Sequence, residues 1–194
     1  MLKIGITGGI GSGKTTVCRI FEVLGIPVFY ADDAAKEVMT QDPELMQRIR
    51  EVFGEDSYKG AMLDRAHIAS QAFSDPDKLR LLNEAVHPAV FRSFDRWIAQ
   101  QQAPYVLKEA ALMFESGSYL KNDINVLVYA DAETRMRRAL ARDQATPEQV
   151  QARMSRQMPE EEKRAMADLV ILNDDDSLLI PQVMALHQQW TRNA

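Results

Sequence analysis

A chain of 194 residues, 46% hydrophobic and 26% charged, has the composition of an ordinary globular protein and excludes the fibrous, low-complexity and disordered classes. Its length lets one core bury roughly 70% of the surface an unfolded chain exposes, and the single cysteine, Cys18, excludes an internal disulfide and fits a reducing, cytoplasmic setting. A formal net charge of -5 argues against non-specific nucleic-acid binding, so any anionic ligand must be held by a positive field built locally against the overall charge.

The apolar start Leu2–Thr7 predicts a strand; it is short, carries Lys3 and runs straight into glycines, which does not fit a secretory leader. No stretch has the length of a membrane span. A helix is expected from about Lys14 to Leu24, with Gly25 as its left-handed stop. Pro27–Tyr30 forms a second strand, and Pro88 should open a helix through Phe91, Phe94 and Ile98. Tyr105–Leu107 and Ile124–Tyr129 follow as strands. Thr146, Pro147 and Gln149 then spell a capping box for a fresh helix, which Pro159 should end or offset. Leu169–Leu172 is the last strand.

Strands separated by helical segments predict an α/β fold with a central parallel sheet covered by helices on both faces. The apolar runs INVLVYAD and DLVILN lack alternation, as strands buried on both faces should. About 75 residues separate the second strand from the third, far more than one crossover needs. That insertion, and the arginine-rich stretch from Arg135 to Arg156, are the places for additional substructure and moving parts.

Between the first strand and first helix stands GITGGIGSGKTT, in which Gly8, Gly13, Lys14 and Thr15 satisfy G-x-x-x-x-G-K-[ST]. Glycines let backbone amides turn inward around phosphate oxygens, Lys14 adds a positive charge, the Thr15 hydroxyl suits magnesium, and the helix start aims its dipole at the anion. The flanking strand and helix are the context this motif requires, so the loop is expected to hold a nucleotide triphosphate.

Neither D-x-x-G nor N-K-x-D occurs, which removes a switch GTPase. A small-molecule kinase needs a proton acceptor and positive groups for the moving phosphoryl. Asp32 and Asp33, directly after the second strand, offer the first, although either of them could simply cap a helix near Ala34. Arg135, Arg138 and Arg142, at i, i+3 and i+7, offer the second, although a charged helix face is more often just solvated. Beside a triphosphate site, a hinged lid closing arginines onto phosphates becomes the better reading.

Together these motifs resemble the dephospho-CoA kinase family. ITGGIGSGKTTV is close to that family's loop, ADDAAK lies where it has Asp-Ala-Asp, HPAV is similar to its His-Pro element, ALMFES to its Pro-Leu-Leu-Phe-Glu element, RDQAT begins its lid, and DLVILND resembles its adenine-side strand and turn. The resemblance implies a three-layer P-loop kinase fold spanning 1–194, with an inserted helical substrate-binding region at about 33–102 and a lid at about 137–158. It implies transfer of the ATP γ-phosphoryl to the ribose 3′-hydroxyl of dephospho-CoA, with Mg2+, by a cytoplasmic enzyme expected to be monomeric, with no nucleic-acid or membrane partner. A kinase for a nucleoside monophosphate or another small hydroxyl substrate is the runner-up, and an ATP-binding regulatory module comes third.

By the same resemblance Asp32 is the general base, with Lys14, Arg138 and Arg142 as the other catalytic groups. Gly9, Ile10, Gly11, Ser12, Gly13, Lys14, Thr15, Thr16 and Asn173 hold the nucleotide, and Thr15 the metal. Two departures stand out: Tyr30 replaces the first aspartate of the family element, and Ala111 replaces the proline before LMFE. Glu109 could reach a magnesium shell or be a strand-end carboxylate, Glu115 could face substrate, and the histidines and Cys18 read as structural.

Overall fold

The computed structural model describes residues 1–192. In chain order the elements are β1 (Leu2–Thr7), α1 (Lys14–Val23), β2 (Val28–Tyr30), α2 (Ala31–Gln41), α3 (Pro43–Phe53), β3 (Tyr58–Lys59), β4 (Met62–Leu63), α4 (Arg65–Ser74), α5 (Pro76–Ile98), β5 (Tyr105–Glu109), β6 (Ile124–Tyr129), α6 (Ala132–Asp143), α7 (Pro147–Met154), α8 (Glu160–Met166), β7 (Leu169–Leu172) and α9 (Leu179–Arg192). They divide into two compact units, one of Met1–Tyr30 with the chain from Gln101 onward, the other of Ala31–Gln100.

The first unit is a three-layer α/β core. Its sheet is parallel throughout, in the order β2-β5-β1-β6-β7, with Ile4 opposite Leu107 on one side and Ile124 on the other. β1 is therefore central and the loop after it leaves from the middle of the sheet's carboxyl edge, where open α/β sheets bind ligands. Ile4, Ile6, Leu107, Val126 and Val128 supply the sheet's share of the core, against Val17, Cys18 and Phe21 of α1 and Val183 and Trp190 of α9. Trp190 stacks on Phe21 with ring centroids 5.7 Å apart and meets Tyr105 edge-on at 5.4 Å. The Tyr105 hydroxyl pairs with Nδ1 of His187 at 2.7 Å, so that histidine is structural.

β5 runs two residues past the expected Leu107 because Lys108 and Glu109 continue the pairing with β1 while staying buried. The Lys108 ammonium donates to the carbonyl of Ser118 at 3.3 Å. At the far edge of the sheet, the side chain of Gln182 in α9 receives the Leu172 N–H and donates to the Leu172 carbonyl, both at 2.9 Å.

In the second unit α2, α3 and α4 pack on the long helix α5 and beside the two-stranded β3-β4 ribbon. Pro88 was expected to open a helix; it lies inside α5 instead. The helix is already set by Asp75, whose carboxylate accepts from the amides of Asp77 and Lys78. Burial of Val86, Ala89, Val90 and Phe94 then outweighs the ~3 kcal/mol an internal proline costs. Pro159 likewise does not end α7, which stops at Met154, but opens α8. The capping box of Thr146 and Gln149 forms as expected.

Replacing Trp190, 1% exposed, with alanine should cost about 3–5 kcal/mol in urea unfolding, whereas Leu178→Ala, at a residue 76% exposed, should change stability by less than ~0.5 kcal/mol.

Candidate functional site

The loop Gly8–Gly13 joins β1 to α1. Helices α3 to α7 each begin with an aspartate or threonine side chain accepting first-turn amides; α1 begins at Gly13 with no side-chain cap and no acid in its first turn. Its leading N–H groups are thus left for an anion, with the positive end of the helix dipole behind them. Lys14 folds back over the loop, its ammonium donating to the carbonyls of Gly8 at 2.9 Å and Gly9 at 3.4 Å.

Two groups hold this backbone from behind. Gly11 has φ 80 and lies so close to Arg135 that a β-carbon there would be driven into that residue's carbonyl. Gly13 has φ 91, and a β-carbon would meet the side-chain amide of Asn173, which donates to the Ser12 carbonyl at 2.7 Å. Asn173 is itself anchored: its N–H continues the β6-β7 pairing onto Tyr129, and its carbonyl accepts from Nη1 of Arg138 at 2.7 Å.

The structure thus gathers Gly9, Ile10, Gly11, Ser12, Gly13, Lys14, Asn173 and Arg138. Thr15 and Thr16 are exposed in the first turn of α1. Two predicted residues are differently engaged. The Ile10 N–H donates to the side-chain carbonyl of Gln157 at 2.9 Å. Arg142 is paired through Nε to Asp143 at 2.6 Å, a carboxylate that also takes Arg153 at 2.9 Å, and these guanidiniums hold the Asp143 carboxyl below its ordinary range. Arg135 is not a lid residue: it is buried, its Nε donating to the Ala130 carbonyl at 3.1 Å.

Asp32 and Asp33 occupy the first turn of α2, which begins at Ala31 rather than near Ala34, so both lie within the helix and neither precedes it as a cap. Both are exposed; Asp33 is ion-paired to Lys36 at 2.6 Å, and Asp32 makes no ion pair among the described residues. Glu115 accepts from the Met158 N–H at 2.8 Å and lies 3.3 Å from the Lys163 ammonium. Glu160 and Lys163 escaped sequence reasoning because EEEKR has the pattern of a solvated charged face, and Gln157 because it stands alone with no motif around it.

Beneath the loop, Cys18 is fully buried, and burial first, then the nearby charges of Glu109 and Glu22, push its thiol pKa well up, with Lys14 opposing. Burial first, then the nearby charges of Cys18 and Glu22, also push the Tyr30 hydroxyl pKa up. The Tyr30 departure therefore adds no second acid. With its native pKa raised, Cys18 stays protonated through the range in which an ordinary thiol ionises. The folded protein should accordingly resist iodoacetamide at pH 8.5, and urea should expose one reactive thiol, counted by mass.

A glycine cradle on the carboxyl edge of a parallel sheet, with a lysine arched over it and an uncapped helix behind it, defines a P-loop nucleotide-binding protein. A family model described as CoaE, dephospho-CoA kinase, matches residues 2–178. Curated relatives called dephospho-CoA kinase include one from Bacteroides fragilis, 38% identical over 95% of this chain and 91% of its own, and one from Chlorobium luteolum, 40% identical over 88% and 82%. The solved protein TT1252 from Thermus thermophilus is 36% identical with TM-score 0.86, covering 97% of this chain and 96% of its own. A dephospho-CoA kinase from Campylobacter jejuni, at 23% identity, TM-score 0.71 and 98% coverage of both chains, shares the fold. The chain belongs to the dephospho-CoA kinase family.

Proposed function

We infer that this chain is an ATP-dependent kinase that phosphorylates the ribose 3′-hydroxyl of dephospho-CoA, giving CoA and ADP in the last step of CoA biosynthesis. The family match over residues 2–178 supports the reaction, and the braced glycine loop is the observation in the fold that carries it. In this reading the amides of Gly9, Gly11 and Gly13, with those of Lys14, Thr15 and Thr16, face the ATP phosphates, and that of Ser12 does so on leaving the Gly9 carbonyl, to which it donates at 3.1 Å. Ile10 joins them by releasing Gln157. Lys14 leaves the carbonyls of Gly8 and Gly9 to place its charge on the β- and γ-phosphates, a short movement from where it is held. The turn that starts at Asn173 faces adenine through the backbone of the residues after it, since the side chain, N–H and carbonyl of Asn173 are engaged by Ser12, Tyr129 and Arg138.

Asp32 takes the proton from the attacking 3′-hydroxyl; its freedom from the ion pair that engages Asp33 supports that choice. Arg138 and Arg142 stabilise the γ-phosphoryl, Arg142 exchanging Asp143 for phosphate as the segment at about 137–158 closes as a lid. The helical insertion at about 33–102 receives the acceptor. Mg2+ is an ion held chiefly by substrate phosphates and water. The exposed Thr15 hydroxyl would help to hold it, and it would neutralise charge on the phosphates.

The same reading makes the chain a cytoplasmic monomer with no nucleic-acid partner, supported by its buried free cysteine and net charge of -5. No described helix is long and apolar enough to cross a membrane.

ADP release from magnesium-ATP should depend on dephospho-CoA and yield a 3′-phosphorylated product by mass spectrometry; stimulation by a nucleoside monophosphate instead would overturn the substrate assignment. Asp32→Asn should lower kcat by ~10²–10⁴-fold with ATP binding intact. Lys14→Met should weaken ATP binding at least ~10-fold, measured by titration with a fluorescent ATP analogue.

A further inference from the structure

Lys163 is fully buried in α8, and its ammonium makes no hydrogen bond among the described residues. Its neighbours are two carboxylates, Glu115 at 3.3 Å and Glu160 at 3.6 Å. Both oxygens of Glu160 are buried and likewise without a hydrogen bond, and Oε1 lies 3.6 Å from Nη1 of Arg135. Four charges thus form a chain, Glu115–Lys163–Glu160–Arg135, with three of its members almost wholly removed from water. Desolvating them costs more than an apolar core of the same volume, so packing alone gives no reason for their presence.

The chain of charges leads to the phosphate loop. Arg135 lies with its backbone carbonyl against Gly11 and its guanidinium against Gly9, where Glu160 Oε1 also stands: a β-carbon on Gly9 would sit 2.6 Å from it. The residues just before α8 are tied into the same place, Gln157 through the Ile10 N–H and Met158 through Glu115. Glu115, for which the family resemblance suggested a contact with substrate, is here an internal anchor.

We propose that Lys163 is a positioning residue for ATP: through Glu160 and Arg135 it fixes the amides of Gly9 to Gly11 in the orientation that accepts the phosphates, without touching the nucleotide. Given the loop as the ATP site, as proposed above, losing this strut loosens the grip on ATP and leaves the grip on the acceptor unchanged.

Lys163→Met alone strands buried carboxylates and is expected to lower the melting temperature, so the decisive variant is Lys163→Met with Glu115→Gln. It restores charge balance, keeps an acceptor for the Met158 N–H and leaves the Glu160–Arg135 pair in place. For this double variant the expected result is a melting temperature within a few degrees of the parent and an ATP KM raised about tenfold, the scale of one misaligned charge-assisted hydrogen bond. The KM for dephospho-CoA should stay within about twofold of the parent. An ATP KM within about twofold of the parent would overturn the proposal whatever happens to kcat, and so would an equal rise in both KM values. Lys14→Met, run alongside, tests the loop itself: if it binds ATP as well as the parent, the failure belongs to the site assignment and not to the strut.

Discussion

A backbone that must turn its amides toward an anion while other groups press on it from behind can carry no side chain at the points of contact, and most of what is distinctive in this molecule follows from that constraint. Gly11 and Gly13 leave the loop bare enough for Arg135 and Asn173 to press against it from behind. The braces come from α6 and from the turn after β7, elements that reach the loop because β6 lies beside β1 and β7 beside β6 in the sheet order. Strand order, glycine placement and the identity of two distant residues are therefore one requirement seen at three levels.

The electrostatics share that logic. With a net charge of -5 the protein as a whole repels a triphosphate, so attraction must be assembled within a few ångströms. The uncapped start of α1 and Lys14 supply it, while arginines of the region are held by carboxylates: Arg137 and Arg138 by Asp175, Arg142 and Arg153 by Asp143. Cations already paired can be handed over to a phosphate with little net change in solvation, which suits groups that must engage and release repeatedly.

How far the sequence disclosed this depends on whether a signal is local. The sheet strands and the phosphate loop were legible, since each is written in consecutive residues: an apolar run, a glycine spacing, a Thr-x-x-Gln cap. Pro88 misled because a proline's local cost was weighed without the burial of the long α5 face that overrides it. Arg135 misled in the opposite way. Its spacing with Arg138 and Arg142 gave it to one helical face, yet it lies buried beneath the loop while Arg142 stays with Asp143. Lys163 and Glu160 were invisible for the same reason: charged residues in a charged run become buried ions only through partners more than twenty residues away, Arg135 and Glu115.

The amide of Gln182 gives one edge of the sheet a different meaning. By receiving the N–H and donating to the carbonyl of Leu172, it makes the two contacts a further strand would make there, using a single side chain from α9. A parallel sheet with an open final strand invites another chain to continue it, and exposed Leu172, Leu178 and Ile180 nearby would make such an addition adhesive. The glutamine closes the outermost rung at the end of β7 that leads into Asn173. The sheet is thereby terminated from within, and the end of its last strand is denied to a neighbouring polypeptide.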